Sequence, residues 1–293
     1  MTNHASETQN FFSAVATGSL EQFIPNKQWS PLKLFNASQC AFKKVYDKFK
    51  GNFDLHIATS IPTFRENQIV VGTAIVGNLP FGLMYDIGGS EGGFCKAITD
   101  FSFGTIQTIN LDPNEEMEAI HNATPIYGST YVKEAFYEGF EYNGVNYKTH
   151  VPKRKADIVH ESMTFQFITK DREAFVKEIK DNYLKPDGIF ITEQKFSSRP
   201  DLYDRAEVIK NAYKRQYYTP EQLATKDESI VVGMKENQAD SIEFLRLLQD
   251  NFKHVGLHWV AGNFLGFMAT DSDTTFKKYN RILTLFNEAD LTV

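Results

Sequence analysis

The chain has 293 residues, of which 42% are apolar and 23% are charged, a composition typical of a folded globular protein. Its 37 acidic residues outnumber 31 basic ones, so the formal net charge is −6. This balance argues against binding of nucleic acid through a general positive field. Two cysteines, Cys40 and Cys95, are too few for a disulfide framework or a zinc cluster, and we predict no metal site.

Two segments bear on location. The polar residues 1–10 lack the basic-then-apolar order of a secretion signal. Residues 69–85 carry no charge and approach the length of a membrane span. Glycines and an Asn-Leu-Pro sequence interrupt this stretch, which predicts a buried helix, a turn and a buried strand instead. We therefore expect a cytoplasmic protein that binds neither a membrane nor nucleic acid, and a homodimer stays open as its assembly.

The first part of the chain, residues 1–55, is predicted to be a helical extension or cap, with one amphipathic helix over residues 37–53. A main domain follows over residues 56–272, and a surface helix is predicted within residues 273–293. Residues 197–236 are polar and rich in tyrosine, and they show no strand pattern. We predict that they form a helical insertion in the main domain.

From residue 82 onwards, strands and helices alternate. Strands are predicted over residues 83–86, 105–111, 131–136, 156–160, 189–192, 254–260 and 264–269. Helices are predicted over residues 92–100, 114–122, 171–184, where Lys185-Pro186-Asp187-Gly188 ends the helix, 241–252 and 273–287. Asn143-Gly144 predicts a hairpin between residues 141–142 and 145–147. The alternation predicts an α/β fold, a Rossmann-like and mostly parallel sheet of seven strands that ends in an antiparallel hairpin.

The most informative segment is Asp86-Ile87-Gly88-Gly89-Ser90-Glu91-Gly92-Gly93, between a predicted strand and a predicted helix. Ligands bind at this edge of open α/β sheets, and glycines let the backbone approach an adenosyl group closely. We predict that Asp86, Gly88, Gly89, Ser90 and Gly92 bind a cofactor. Asp112 ends the second strand, where a carboxylate typically binds both ribose hydroxyls, and Pro113 beside it is assigned to the same site.

Two cofactors compete for this loop. A dinucleotide site has the pattern G-x-G-x-x-G, which Gly88-x-Ser90-x-x-Gly93 matches except at the middle glycine. A site for S-adenosylmethionine (SAM) has an acidic residue and then glycines, as in Asp86, Gly88 and Gly92. The closing hairpin favours SAM, or its demethylated product S-adenosylhomocysteine (SAH). A nicotinamide dinucleotide and a purely structural glycine turn are the alternatives.

The order of these motifs resembles class I SAM-dependent methyltransferases, and within them the carboxy-S-adenosylmethionine synthase family. The loop pattern D-x-G-x-S-x-G of that family is matched by Asp86, Gly88, Ser90 and Gly92. Its strand-four sequence N-F-T-L-Q-F-L is similar to residues 162–168, which read Ser-Met-Thr-Phe-Gln-Phe-Ile. Its S-E-K-F sequence is similar to residues 192–196, and the likeness covers about residues 60–272.

The resemblance implies roles for further residues. Members of the family form carboxy-SAM from SAM and prephenate, for tRNA wobble-uridine modification, and bind the transferred carboxylate with an arginine that Arg215 matches. A guanidinium suits a carboxylate in geometry and charge. Ser162 stands where the family has an asparagine, Phe136 where an acidic residue near the adenine is usual, and Phe64 where a tyrosine precedes the first helix. These three are expected to contact the cofactor.

Candidate catalytic groups follow the fourth strand and lie in the insertion. His160 and Glu161 end that strand, where an acceptor would lie, and either could act as general base, with a packing histidine as the alternative. Arg215 with Lys214 and two nearby tyrosines is a candidate pocket for an anionic substrate, or else part of an exposed helix. We predict a SAM-dependent methyltransferase for a small, carboxylated molecule. A carboxy-SAM synthase-like enzyme and a non-catalytic protein with a SAM-binding fold are the alternatives.

Overall fold

One sheet of seven strands organises the protein. The computed structural model describes residues 4–25, 27, 29, 36–134, 140–142, 145–147, 154–167, 172–197, 199–227, 234–235 and 237–290. The strands are β1 (Gly82–Ile87), β2 (Ile106–Leu111), β3 (Ser129–Val132), β4 (Phe140–Tyr142), β5 (Val145–Tyr147), β6 (Ala156–Ser162), β7 (Leu184–Lys195), β8 (His254–Ala261) and β9 (Phe264–Thr270). The sheet order is β3-β2-β1-β6-β7-β9-β8. Within this sheet only the β7–β9 and β8–β9 pairs are antiparallel, so the predicted fold class is confirmed. Strands β4 and β5 form a separate antiparallel pair.

Helices cover both faces of this sheet. They are α1 (His4–Ala16), α2 (Ala37–Tyr46), α3 (Asn52–Ala58), α4 (Phe64–Asn78), α5 (Gly93–Phe101), α6 (Glu115–Ala123), α7 (Arg172–Glu178), α8 (Pro200–Lys214), α9 (Pro220–Lys226), α10 (Ser241–Asn251) and α11 (Asp273–Asp290). As predicted, the insertion contains helices, α8 and α9, and a buried helix, α4, precedes β1. None of the helices in the described part of the chain is long and apolar enough to cross a membrane.

The two faces of the sheet carry separate apolar cores because successive side chains of a strand point in opposite directions. On β1, Met84 packs in a core with Ile69 of α4 and Ile98 of α5. Its neighbour Tyr85 packs in the opposite core with Leu248 of α10. A strand buried on both faces is typical of a parallel sheet between helical layers, and each fully buried aliphatic side chain stabilises the fold by about 1.5–3 kcal/mol.

The predicted single helix over residues 37–53 is wrong. The structure contains two helices there, because α2 ends at Tyr46 and α3 begins at Asn52. Gly51 has an extended backbone between them, and the Asp54 carboxylate accepts a hydrogen bond of 3.2 Å from its N–H. After the break, α3 lies against the loop that follows β1, where its Phe53 N–H donates to Glu91.

Three other boundaries differ from the predictions. The third strand is Ser129–Val132, earlier than predicted, since it pairs with β2 from Ser129 opposite Thr108. The helix predicted to reach residue 184 ends as a π-helical turn at Tyr183. Residues 185–188 do not end a helix but lie within β7. The pairing of β6 with β7 shifts register between Ala156 and Ile158, opposite these residues. The proline among them has no N–H and cannot donate a hydrogen bond to the neighbouring strand.

The remaining predicted elements agree with the structure. The hairpin of β4 and β5 is present, and its turn residues 143–144 lie outside the described residues. The closing strands β8 and β9 form the antiparallel pair at the sheet's end. The last helix, α11, packs on β8 and α4, and its buried Tyr279 and Leu283 join the core, so one face of the predicted surface helix is buried.

Candidate cofactor and substrate site

The loop after β1 turns sharply at the carboxyl edge of the sheet. Gly88 and Gly92 have φ values of 68° and 74°, in the left-handed region that favours glycine. Ser90 has a φ of 48°, which is uncommon for a residue with a side chain. Both backbone groups of Ser90 are held by β2 or its end: its N–H donates to Asp112 Oδ2 at 3.2 Å, and its carbonyl accepts from Asn110 Nδ2 at 2.9 Å. These two bonds fix the strained turn against the neighbouring strand.

Asp112 lies where a ribose-binding carboxylate is expected. Its Oδ2 accepts the Ser90 N–H, and its Oδ1 accepts the Asn114 N–H at 3.0 Å. The Tyr131 side chain is a third hydrogen-bond partner of this carboxylate. A carboxylate has about four acceptor positions, so acceptor capacity remains for a hydroxyl group of a ligand. Burial raises the pKa of Asp112 to about 6, against the effect of these two backbone bonds. The group is therefore ionised at neutral pH, and the structure brings it together with Ser90 as the sequence predicts.

Asp86, by contrast, lies beneath the loop in a buried hydrogen-bonded chain. Its Oδ1 is 2.7 Å from His160 Nδ1, and His160 Nε2 is 3.1 Å from Glu193 Oε2 on β7. Burial opposes a charge on His160, but the two carboxylates outweigh it and raise the pKa to about 10. The His160 charge in turn holds the pKa of Glu193 below its usual value, although burial acts the other way. Asn67 donates to Glu193 Oε1 at 3.1 Å and completes the chain.

These contacts decide between the two interpretations of His160. Both ring nitrogens bind carboxylates and the side chain is buried, so the imidazolium has no lone pair with which to accept a proton. Glu161 is also fixed: its carboxylate accepts the N–H groups of Thr164 at 2.8 Å and Phe165 at 3.0 Å, and the Thr192 hydroxyl at 2.5 Å. Burial raises the pKa of Glu161 to about 7. Both side chains are therefore held in internal contacts at the edge of the sheet.

The other predicted cofactor contacts are less uniform. Ser162 is half-buried at the end of β6, next to the edge. Phe64 is buried and packs on Trp259 with ring centroids 5.8 Å apart, which places it against the closing hairpin. Pro113 is half-buried directly after Asp112, and Phe136 lies outside the described residues. Gly89 needs to be glycine because a Cβ atom would meet Asn110 Oδ1 at 2.6 Å.

The amino-terminal helices lie against the same edge. Glu91 of the glycine loop accepts the N–H of Phe53 in α3 at 3.0 Å. Ser13 of α1 contacts Asn114 after β2 at 2.8 Å. Phe12 packs on Phe53 and on Phe167, the residue that follows β6 by a few positions, with centroids 5.1 and 5.2 Å apart. The amino-terminal helices therefore contact three different loops of the edge, those after β1, β2 and β6.

Arg65, near the start of α4, contacts only other residues of the protein in the described structure. Its Nη2 forms an ion pair of 2.5 Å with Asp54, and its Nη1 contacts Tyr46 and Gln68. The side chain is buried between α2, α3 and α4. Arg65 therefore joins the cap to the main domain.

Arg215 and Lys214 occupy opposite environments. Arg215 is exposed immediately after α8, whereas the adjacent Lys214 is only 3% exposed. Three more lysines are buried nearby: Lys195 at the end of β7, Lys210 on α8 and Lys226 on α9. We call these four residues the lysine cluster. The structure thus brings a group of buried cations to the edge, but Arg215 does not point into it.

Sequence reasoning missed most of this cluster. Lys210 and Lys214 are four residues apart on a polar helix, and such spacing usually indicates a solvated face. Packing of α8 buries them: Tyr213 donates to the carbonyl of Ala58 in α3 at 2.6 Å, and Glu207 accepts from Asn263 of the closing hairpin at 3.0 Å. No local sequence signal reports contacts between segments this far apart.

The described residues contain no group of three or more His, Cys, Asp or Glu side chains that could hold a metal ion. Cys95 is buried, and burial raises the pKa of its thiol well above the usual value. Cys40 is exposed on α2. A raised pKa argues against Cys95 as a nucleophile or a metal ligand, because both roles need the thiolate.

The sheet order, the glycine loop after β1 and the carboxylate after β2 define the fold of class I SAM-dependent methyltransferases. Among solved structures, the plantazolicin methyltransferase BpumL in complex with SAH superimposes with a TM-score of 0.51 at 11% identity, over 92% of this chain and 98% of that one. This likeness shows the fold. No protein-family profile matches the chain.

Two curated relatives carry the sequence likeness further. The chain is 27% identical to a carboxy-S-adenosyl-L-methionine synthase of Nitratiruptor sp. over 224 residues, which are 74% of this chain and 88% of that protein. It is 28% identical to the Wolinella succinogenes protein of the same name over 235 residues, 76% of this chain and 91% of that one. Together with the fold, these relatives confirm the predicted resemblance to class I SAM-dependent methyltransferases and, within them, to carboxy-S-adenosylmethionine synthases.

Proposed function

We propose that the chain is a SAM-dependent transferase that acts on a small, anionic molecule. The observation that carries this proposal is the pairing of Asp112 with the Ser90 N–H, because it holds a carboxylate with remaining acceptor capacity beside a glycine-rich turn. The residues present fit SAM: Asp112 would bind a ribose hydroxyl, and the glycine loop would lie against the nucleoside. Relatives named for SAM chemistry support the choice of this cofactor over a dinucleotide.

The cofactor supplies an activated group on its sulfonium, so the protein's own task is to orient the reactants and exclude water. Reaction requires the acceptor within about 3 Å of the transferred group and in line with the breaking bond. Phe12, which packs on Phe53 and Phe167 beside this edge, would shield part of a bound ligand from water. Since His160 and Glu161 are fixed in internal contacts, an acceptor that needs no protein base suits this site.

A second candidate is carboxyl transfer from prephenate to SAM, which the 27–28% identity to carboxy-SAM synthases favours. Two features of this chain depart from that family. Ser162 replaces its asparagine at the end of the fourth core strand, and Arg215, which matches its carboxylate-binding arginine, is exposed. These departures favour another anionic acceptor.

Calorimetry with SAM and SAH tests cofactor binding. We expect wild-type protein to bind both ligands and Asp112→Ala to lose at least tenfold in affinity, while Arg205→Ala, an exposed change on α8, stays within twofold. No heat from wild-type protein, or equal affinity of Asp112→Ala, contradicts the proposal.

Mass spectrometry separates the reactions. Small molecules that co-purify with the protein identify the acceptor, and release of SAH with that acceptor indicates methyl transfer. Carboxylated SAM that forms only with prephenate indicates the second candidate. A chain that binds neither SAM nor SAH is a non-catalytic protein with this fold.

A further inference from the structure

The lysine cluster has more positive charge than its surroundings balance. Lys195 Nζ is 2.8 Å from Glu207 Oε1, and Lys210 pairs with Oε2 of the same carboxylate. Lys214 and Lys226 have no carboxylate within ion-pair distance among the residues that the structure describes. One glutamate therefore serves two of the four ammonium groups.

Lys226 has neutral hydrogen-bond partners in place of a carboxylate. Its Nζ contacts His56 Nε2 at 2.7 Å and Ser60 Oγ at 2.5 Å. His56 Nδ1 lies 3.0 Å from the carbonyl of Phe23, so Nδ1 carries the proton and Nε2 accepts from Lys226. These neutral partners satisfy hydrogen bonds but supply no negative charge.

Lys214 is buried beside another lysine rather than beside a carboxylate. It is 3% exposed and hydrogen-bonds to Lys210, and no carboxylate lies within ion-pair distance of it in the described part of the chain. Burial and the neighbouring Lys210 lower its pKa, while the more distant Asp227 and Glu207 act the other way, and the result is about 8. At neutral pH the group is still mostly charged. A buried charge without an opposite charge beside it is costly, and proteins that keep one usually use it.

The position of the cluster shows what its charge could serve. Lys195 is the last residue of β7, at the same edge as the glycine loop and two strands from β1. Lys210 and Lys214 lie on the inner face of α8, which crosses from α3 to the closing hairpin. Ligands of open α/β sheets bind at this edge. A group held by the cluster therefore lies on the acceptor side of the cofactor site.

We propose that the lysine cluster binds the anionic end of the acceptor, a compact group with two negative charges such as a phosphate monoester or a pair of carboxylates. The proposal rests on the proposed function in that it names the class of acceptor. Ammonium groups act as point charges and bind such oxyanions without the flat geometry that a guanidinium imposes. Burial and the neighbouring Lys214 and Lys210 lower the pKa of Lys226 well below its usual value. Glu207 balances one of the charges on Lys195, Lys210 and Lys214, and a dianion matches the remaining two.

Thermal unfolding of the full chain at pH 7 tests this inference with inorganic phosphate, malonate and acetate as probes. A ligand that binds the native state raises the Tm in a saturable way. We expect saturation with phosphate or malonate at millimolar concentrations or below, and affinity for acetate at least tenfold weaker. The stronger of the two dianions tells a phosphate ester from a dicarboxylate.

Variants locate the site. Lys214→Met is expected to weaken dianion binding at least tenfold and to leave SAH affinity within twofold, whereas Arg205→Met, which removes an exposed charge from the same helix, changes neither. If Lys214→Met does not fold, Lys214→Gln takes its place. The inference is overturned if wild-type protein binds phosphate and malonate no more tightly than acetate. It is also overturned if the folded Lys214 variant binds the dianion as tightly as wild-type protein does.

Asp112→Asn separates the inference from the proposed function. We expect this variant to bind SAH at least tenfold more weakly and to keep dianion binding. Wild-type protein that binds the dianion but neither SAM nor SAH contradicts the proposed function alone. Protein that binds SAH but no dianion contradicts the acceptor class alone.

Discussion

Two groups of buried charges lie near the carboxyl edge of the sheet, and they differ in balance. In the first, the balanced group, Asp86 and Glu193 enclose one imidazolium, His160, and each of the three charges has an opposite charge at hydrogen-bond distance. In the second, the unbalanced group, Lys195 and Lys210 pair with Glu207, but Lys214 and Lys226 have no carboxylate at ion-pair distance among the described residues. A balanced group can hold a fold together unaided, whereas an unbalanced one destabilises the protein until another charge arrives. The contrast separates a supporting structure from a binding site.

The largest expected effect comes from breaking the balanced group. His160→Ala leaves two carboxylates buried with no cation between them, and removal of one partner from a buried pair typically costs about 3–5 kcal/mol. We expect a loss of this size in the free energy of unfolding, measured by urea denaturation. His254→Ala is the matched control, because its partner Asp273 is exposed, and we expect a loss below about 1 kcal/mol. A small effect of His160→Ala would show that the hydrogen bonds among Asp86, His160 and Glu193 contribute little to the stability of the fold.

The opposite sign is expected in the unbalanced group. Lys214→Met removes a buried charge and should raise the free energy of unfolding at pH 7 by about 1–4 kcal/mol. The folded pKa of about 8 lies below the unfolded value of about 10.4, so wild-type stability rises as the pH passes from 8 to 10. The advantage of Lys214→Met therefore shrinks over this range in urea denaturation. A destabilised Lys214→Met protein contradicts the claim that Lys214 lacks a carboxylate partner.

The expected effect of protonating Asp112 is smaller than the two changes in the free energy of unfolding described above. Burial raises its pKa to about 6, so the carboxylate that is proposed to bind ribose gains a proton as the pH falls through this value. We expect SAH affinity from calorimetry to fall about tenfold, or about 1.4 kcal/mol, from pH 7 to pH 5. Asp112→Asn should bind weakly with a flat profile. A wild-type profile that is also flat contradicts the assignment of the ribose to Asp112.

The smallest effect is expected next to Lys214. Arg215 is exposed, so Arg215→Ala should change the free energy of unfolding by less than about 0.5 kcal/mol and dianion affinity by less than twofold. The same two measurements on Lys214→Met are expected to give large changes. Because both residues are cationic and adjacent, a difference between the two variants reports the effect of burial rather than of charge alone. A loss of dianion binding in Arg215→Ala would restore the role that the family resemblance implies.

The fold was predictable because its signals are local. Alternation of apolar segments, the glycines after β1 and the turn residues between strands report backbone preferences within a few positions, and Asp112 follows from its place at the end of β2. The break at Gly51 was missed because the aromatic spacing of residues 37–53 continues across it, and a glycine beside Asp54 is a weak signal alone.

The chemistry of the edge was less predictable because it depends on contacts between distant segments. His160 could be a base or a packing residue until Asp86 and Glu193 were placed on either side of it, and these lie 74 and 33 positions away in sequence. The resemblance pointed to Arg215, but helix geometry turns Lys214 inward, one position earlier. Sequence spacing cannot choose between neighbours on a helix when the packed face is unknown.

Glu91 and Arg65 have a practical consequence for trimming the chain. The Glu91 carboxylate meets the amino-terminal end of α3, and Arg65 depends on Asp54 of the same helix. Removal of residues 1–55 would remove the partners of both Glu91 and Arg65. These two side chains of opposite charge would then be left without those partners in the remaining protein. The amino-terminal helices are therefore not a detachable module, and a shortened version should be judged by its folding before its activity is interpreted.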